Sequence, residues 1–209
     1  MVRSPLDPRR YDRVARLYDV VEAPMDLLGG RARRRRCVAQ ARGRVLEVGI
    51  GTGRNLELYP QEVDLVGIDV SGKMLHRARR AARRVSREVR LAVADVQRLP
   101  FPDASFDTVC ATCVFCSVAD PVAGLRELAR VVRPEGEVRL LEHVRPHTPI
   151  LGRLADLLTP LSERTIGPAL NRRTEDNIRR AGLDLREVHR SGVWRQIVAH
   201  RGTSVQPPR

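Results

Sequence analysis

Val45-Leu46-Glu47-Val48-Gly49-Ile50-Gly51-Thr52-Gly53-Arg54-Asn55 decides how this chain is read. A short apolar run carries a carboxylate and then gives way to three glycines at alternate positions. The run reads as a buried parallel strand, and the glycines read as the turn into a helix. Glycine is needed where a bulky ligand must lie against the backbone. The N-terminus of the following helix would then offer free N–H groups to a carboxylate or phosphate. The expectation is a nucleotide-like cofactor held by the first strand–turn–helix unit; the other reading is a tight surface turn.

Two further runs favour the cofactor. Val63-Asp64-Leu65-Val66-Gly67-Ile68-Asp69 is a second apolar strand ending in an acid, and Asp69 lies 20 residues beyond Gly49. That is the spacing at which a strand-end carboxylate meets a ribose diol. A third run, from Val89 to Ala94, is followed by Asp95. Glu47, Asp69 and Asp95 would thus lie along one edge of a parallel sheet, the edge at which open α/β sheets bind ligands. A dinucleotide fingerprint would place its third glycine three positions after the second. Arg54 stands there instead, and no GK[ST] follows to make a nucleoside triphosphate loop. A carboxylate two residues before the first glycine suits a cofactor with a cationic amine. S-adenosylmethionine carries an amine, a ribose diol and an adenine, and no phosphate.

At this point the chain resembles a known family, the class I S-adenosylmethionine-dependent methyltransferases. More narrowly, it is similar to the branch holding the ubiquinone/menaquinone C-methyltransferases and the bacterial phospholipid N-methyltransferases. The resemblance runs from about Tyr11 to His200. Tyr11-Asp12-Arg13-Val14-Ala15-Arg16-Leu17-Tyr18-Asp19 resembles the N-terminal YDxxAxxYD segment. Leu99-Pro100-Phe101-Pro102-Asp103-Ala104-Ser105-Phe106-Asp107 resembles the LPFxDxSFD segment. Glu127-Leu128-Ala129-Arg130-Val131-Val132-Arg133-Pro134 resembles the helix and turn before the fifth strand, although Pro134-Glu135-Gly136 replaces the usual Pro-Gly-Gly.

The resemblance implies a Rossmann-like α/β fold: a seven-stranded, mostly parallel sheet with helices on both faces and an antiparallel last strand. By resemblance, Glu47 and the backbone of Gly49, Gly51 and Gly53 would hold the methionine end of S-adenosylmethionine, and Asn55 would be a further cofactor-binding residue. Asp69 would bind the ribose hydroxyls. Val70 and Met74 would pack on adenine, Asp95 and Val96 would read its amino edge, and Thr112 would lie near the methionine end. Plain core packing is the other reading of Met74.

The pattern predicts strands at 44–48, 63–68, 89–94, 106–113, 136–142, 183–190 and 193–200. It predicts helices at 53–59, 71–86, 120–132 and 171–181. Alternating strands and helices imply a parallel sheet covered on both faces, and Ser191-Gly192 signals a hairpin. A length of 209 residues suits one domain with a substantial core. We read one methyltransferase domain over 1–200, with an N-terminal helical lid at 1–41 and an acceptor-side insertion at 143–170, then a disordered tail at 201–209. No 18-residue apolar run predicts a membrane-spanning helix, and the first residues lack a secretory pattern. The expected location is the cytoplasm, including the inner face of its membrane, with Cys37, Cys110, Cys113 and Cys116 reduced. Cys110, Cys113 and Cys116 lack the second pair of a tetrahedral zinc site and read as small apolar residues at the end of the fourth strand; a reactive thiol near the cofactor is the other reading.

The formal net charge is +13, and every basic residue but Lys73 is arginine. Compositional bias and an anionic partner both account for it. Aromatic residues make up only 3%, which leaves few platforms for stacking single strands, so no specific nucleic-acid partner is expected. Tyr11, Val14, Tyr18, Val21 and Met25 recur at helical steps, and Arg31-Ala32-Arg33-Arg34-Arg35-Arg36 follows. An amphipathic helix beside a basic cluster can lie in a lipid interface, or the stripe can pack on the sheet as a lid.

The methyl acceptor would be a lipid or another small molecule. Its candidate residues are His143, after Glu142 at the end of the fifth strand, and Tyr11 and Tyr18 on the lid. Structural packing is the alternative for all three. Ile150, Leu151, Leu154, Leu157, Leu158 and Leu161 would line an acyl or isoprenoid cavity or form an ordinary core helix. The leading reading is methylation of a phospholipid amine such as that of phosphatidylethanolamine. C-methylation of a quinone precursor and S-methylation of a small thiol are enzymatic alternatives. A nucleic-acid-binding protein that keeps the fold belongs to another class.

Overall fold

The computed structural model describes residues 29–146, 148–165, 169 and 171–202, without the side chains of 161–165. Tyr11, Tyr18, the apolar stripe to Met25 and the tail beyond 202 lie outside the described residues. In chain order the elements are α1 (Arg31–Val38), β1 (Arg44–Val48), a 3₁₀ turn (Leu56–Leu58), β2 (Asp64–Asp69), α2 (Gly72–Arg84), β3 (Arg90–Val93) and β4 (Phe106–Thr112). There follow α3 (Pro121–Val131), β5 (Val132–His143), α4 (Pro149–Thr165), α5 (Thr174–Arg180), β6 (Leu183–Ser191) and β7 (Trp194–Arg201).

The seven strands form one sheet in the order β3-β2-β1-β4-β5-β7-β6. β1 pairs in parallel with β2 and β4, setting Leu46 beside Val66 and Val109. β4 and β5 are parallel, with Thr112 beside Leu141. Only β7 runs against its neighbours: His143 faces Trp194 across β5–β7, and β6 pairs antiparallel to β7. The sheet and the direction of its last strand are as the resemblance implies.

Strand alternation sends neighbouring residues to opposite faces. Val45, Cys110 and Leu141 belong to the core under α1 and α2, with Cys37, Leu75 and Ala78. Leu46, Val109 and Leu140 belong to the core under α3 and α5, with Leu125, Leu128 and Ile178. Helix starts follow their caps. Ser71 Oγ accepts from Met74 N, and Asp120 accepts from Val122 N and Ala123 N with Pro121 in the first turn. α1 is tied to the sheet by side chains: Arg139 Nε donates to Cys37 O at 2.8 Å and Gln196 Nε2 to Arg33 O at 2.8 Å.

Three elements differ from the pattern by more than two residues at a boundary. β5 begins at Val132, because Phe106 pairs with Val132 and Thr108 with Glu137, so that Arg133–Gly136 bulges inside the strand. The last helix starts at Thr174 rather than 171. The helix expected at 53–59 shrinks to the 3₁₀ turn Leu56–Leu58. Gly53 is left-handed at φ +86°, and Tyr59 is extended ahead of Pro60, so neither end can continue a helix.

Candidate cofactor and acceptor site

The site is built first from backbone. Gly49, Gly51 and Gly53 take φ of +62°, +57° and +86°, a region that side chains with Cβ rarely adopt. A Cβ on Gly49 would stand 2.6 Å from Val114 Cγ2, and one on Gly53 would stand 2.6 Å from Leu56 Cδ1. Over Gly51 the nearest atom would be Gly49 O at 3.9 Å, so the loop presents an open surface at its centre. The helix terminus expected to receive an anion does not form. Loop N–H groups serve the protein instead: Gly51 N donates to Asp69 Oδ2 at 3.0 Å, and Gly53 N donates to Ile50 O at 3.0 Å. Asp69 Oδ1 also accepts from Ser71 N at 2.8 Å. Asp69 therefore clamps the glycine loop to the start of α2.

Glu47 shares the face of Val45 and is 1% exposed. Its Oε1 accepts from Asn55 Nδ2 at 2.6 Å, and the same Nδ2 donates to Thr112 Oγ1 at 3.0 Å. Burial pushes the Glu47 carboxyl up to about 7, against the pull of the Asn55 hydrogen bond and the Arg34 charge. Glu47 Oε2 and Asn55 Oδ1 are buried acceptors without a close hydrogen-bond partner among the described residues, the buried Tyr59 hydroxyl being a further donor group that acts on the Glu47 carboxyl. Buried polar atoms seldom stay so, and acceptors of this kind suit a bound ammonium group.

Arg34 was not singled out from the sequence. It sits in a run of arginines read as solvated or lipid-facing, and Arg31, Arg35 and Arg36 are indeed exposed. Arg34 is only 7% exposed, and its Nη1 donates to Thr112 Oγ1 at 2.9 Å. The signal was its spacing: Arg34, Cys37, Val38 and Ala41 fall at helical steps and are all buried. A fixed cation thus stands at the strand ends beside the Glu47–Asn55–Thr112 network.

The adenine-side candidates are placed unevenly. Met74 is buried at the first turn of α2 and belongs to neither core cluster, while Val70 is half-buried. Asp95 closes its own turn, accepting from Gln97 N at 2.9 Å and from Gln97 Nε2. The Val96 side chain fills the core next to Phe115 and Gly124. It can therefore offer a ligand only its backbone.

At β5, Glu142 and His143 point to opposite faces. Glu142 is fully buried; its Oε1 accepts from Val114 N at 3.0 Å and Phe115 N at 3.1 Å. It pins the turn that follows β4, where Cys113 is left-handed at φ +59°. Burial pushes its carboxyl up to about 7, opposed by those N–H groups and by Arg172. The sequence reading passed over Glu142 in favour of its neighbour. The His143 ring packs edge-on against Trp194 at 5.7 Å between centroids, and the Arg33 guanidinium lies over the same indole. Burial lowers the His143 pKa, which keeps the imidazole neutral at pH 7. The four thiols are free, and no metal-binding group occurs among the described residues. Burial pushes the Cys110 thiol up to about 12, as befits a core residue.

Residues 46–140 match the family model described as a methyltransferase domain. The chain is 32% identical over 189 residues to a demethylmenaquinone methyltransferase of Renibacterium salmoninarum, covering 85% of this chain and 76% of that protein. The chain belongs to the S-adenosylmethionine-dependent methyltransferases. It is also 45% identical over 103 residues to a phosphatidylethanolamine N-methyltransferase of Cereibacter sphaeroides, covering 48% of this chain. It spans about half the length of that relative, 51%. Among solved structures, a methyltransferase of Thermotoga maritima superposes with a TM-score of 0.68 at 20% identity, covering 92% of this chain and 99% of that one. That likeness speaks to fold.

The methyltransferase cofactor is S-adenosylmethionine, and the residues present fit it. Glu47 Oε2 and Asn55 Oδ1 are acceptors without a close partner among the described residues, the surface over Gly51 is open, and Arg34 supplies a cation. Among the described residues no helix is long and apolar enough to cross a membrane.

Proposed function

We propose that this methyltransferase acts on the amine of a phospholipid, such as phosphatidylethanolamine, at a membrane surface. The observation that carries the reading is α4. Ile150 is 81% exposed and Leu157 is 75% exposed, and Leu151, Leu154 and Leu158 are exposed beside them. Among the described residues these five belong to neither core cluster; the Leu161 side chain lies outside the described residues. A helix that turns its leucines outward immediately after the acceptor-side strand is suited to a lipid interface. The partial likeness to a phosphatidylethanolamine N-methyltransferase supports the same reading.

In this reading Glu47 and Asn55 accept the ammonium of the cofactor, and Arg34 with Thr112 receives its carboxylate. Gly49, Gly51 and Gly53 let it lie on the backbone. Asp69 turns its remaining lone pairs to the ribose. Val70 and Met74 flank adenine, with the Asp95 and Val96 backbone at its edge. The bound cofactor supplies an electrophilic methyl, so the protein chiefly aligns a nucleophile, an effect worth roughly 7–11 kcal/mol. Neutral His143 could accept a proton from the acceptor, while Tyr11 and Tyr18 would cover it from the lid.

A quinone precursor is the second acceptor, favoured by the longer match to a demethylmenaquinone methyltransferase. S-adenosylhomocysteine release should be measured with anionic vesicles containing phosphatidylethanolamine, with a demethylated quinol and with a small thiol. We expect turnover on the vesicles and a fall when salt screens the surface. Turnover on the quinol or thiol alone would remove the phospholipid reading. Binding to duplex DNA at matched salt, with none to vesicles, would favour the nucleic-acid alternative.

A further inference from the structure

A cleft of about 340 Å³ opens where β5 ends, between the loop after that strand, the start of α5 and the β6–β7 hairpin. Five arginines line it: Arg145, Arg172, Arg173, Arg190 and Arg195. They come from separate segments of the chain and converge only through the fold. The carboxylates among the lining residues are Glu175 and Asp176, so positive charge is in excess.

Four of the guanidinium groups are held in place. Arg190 Nη2 and Arg195 Nε donate to Glu175 at 2.6 and 3.1 Å. Arg195 is 1% exposed, and its Nη1 donates to Gly192 O and Trp194 O, both at 2.8 Å. Arg172 Nη2 donates to Val118 O at 2.8 Å, and Arg145 forms a forked pair with Asp156. Arg145, Arg190 and Arg195 are thus paired with acids, yet the five arginines outnumber the carboxylates they meet and leave a net excess of permanently charged, planar groups around a concave space, the kind of group that recognises phosphate oxygens in pairs.

Its position gives the anion a role. The cleft begins at Val144, directly after Glu142 and His143, on the sheet edge that carries the glycine loop. We propose that this cleft binds a phosphate group, and that the phosphate is the one carried by the methyl acceptor. The second half rests on the phospholipid reading above. The arginines would hold the headgroup phosphate while the acyl chains run toward the exposed leucines of α4 and the amine toward the cofactor.

The test is calorimetry on the full chain with three probes: inorganic phosphate, glycerophosphoethanolamine and ethanolamine. The first two should bind and compete with each other, and ethanolamine should not bind. Arg173→Gln and, separately, Arg145→Gln should each weaken phosphate binding by about 10-fold, the scale of a lost charge-assisted contact. S-adenosylhomocysteine affinity and melting temperature should hold, because Arg173 and Arg145 lie outside the cofactor network. With the vesicle acceptor, KM should rise by a similar factor and kcat should stay. Absence of phosphate binding, or equal binding in both variants, overturns the site. Phosphate binding that depends on Arg173, with glycerophosphoethanolamine no tighter than phosphate and no turnover on phospholipid, keeps the site and overturns its assignment to the acceptor.

Discussion

The two halves of the sheet edge gather different groups, and they are built in opposite ways. At β1, β2 and β4 the chain buries carboxylate and amide acceptors and leaves two of their atoms without close partners among the described residues. At β5, β7 and β6 it gathers arginines, four of them fixed by a carboxylate or a carbonyl oxygen: Arg145, Arg172, Arg190 and Arg195. The first half is narrow, preorganised and dependent on left-handed glycines. The second is open, lies beside the outward leucines of α4 and tolerates bulk. A half that must hold one cofactor in one pose is fixed by backbone strain and buried hydrogen bonds. In the proposed reading, the half that would admit an amphiphilic acceptor is held by charge pairs.

The sharpest way to break this contrast is at Gly49. Gly49→Ala meets Val114 and must hold a left-handed φ; overpacking of this kind costs ~1–3 kcal/mol in addition to the backbone term of ~1–2 kcal/mol. We expect a lower melting temperature and no measurable S-adenosylhomocysteine binding. Gly51→Ala has open space, so only the backbone term should appear in stability, while binding still falls. Equal stability losses in the two variants would show that packing does not separate the two glycines.

Glu47→Gln should come next. It keeps an acceptor and removes the charge, and a hydrogen bond to a charged group is worth ~1.5–3 kcal/mol. S-adenosylhomocysteine affinity should therefore fall by about 10- to 100-fold. The unliganded protein should gain stability at neutral pH and above. The sign follows from the raised pKa: the folded chain keeps a proton that the unfolded chain has released between the ordinary carboxylate range and about 7. The contribution of this group is thus greatest at low pH and is lost as pH rises through that window. Cofactor affinity should move the other way, strengthening from about pH 5 to about 7 as the carboxylate forms, and this slope should vanish in Glu47→Gln. Thermal melts and calorimetry across that range measure both.

Arg34→Met should weaken S-adenosylhomocysteine more than decarboxylated analogues of it, by about 10-fold or so for one charge-assisted contact. An equal loss for both ligands would make Arg34 a packing residue of α1. The smallest effect on stability is expected on α4, where Ile150→Gln with Leu157→Gln should shift stability by no more than about 0.5 kcal/mol per site, as for exposed positions. Flotation should nonetheless show less binding to anionic vesicles. Unchanged flotation would detach the apolar face of α4 from the lipid reading.

β1, β2 and β4 were legible to within about a residue, because strands buried on both faces are written as largely apolar runs. The glycine triplet and the acids at Glu47, Asp69 and Asp95 were legible for the same local reason: turn conformation and strand ends are properties of short segments. The start of β5 was not legible, because a bulge exists only once Phe106 has found Val132. Nor was the collapse of the 53–59 helix, because it depends on which φ Gly53 takes against Leu56 and Ala78.

The sequence by itself determined the alternation of strands and helices, the left-handed glycine turn after β1 and the excess of arginine. It could not say which arginines matter, since a guanidinium reads alike in solvent and in a cleft. Packing decided that. Docking α1 on β5 and β7 buried Arg34 beside Thr112, and packing gave Glu142 and His143, already turned apart by strand alternation, different surroundings: the turn after β4 for one and Trp194 for the other. Closing the β6–β7 hairpin over α5 brought Arg145, Arg172, Arg173, Arg190 and Arg195 together across some fifty residues of chain. Such convergence is non-local, and local pattern carries no record of it.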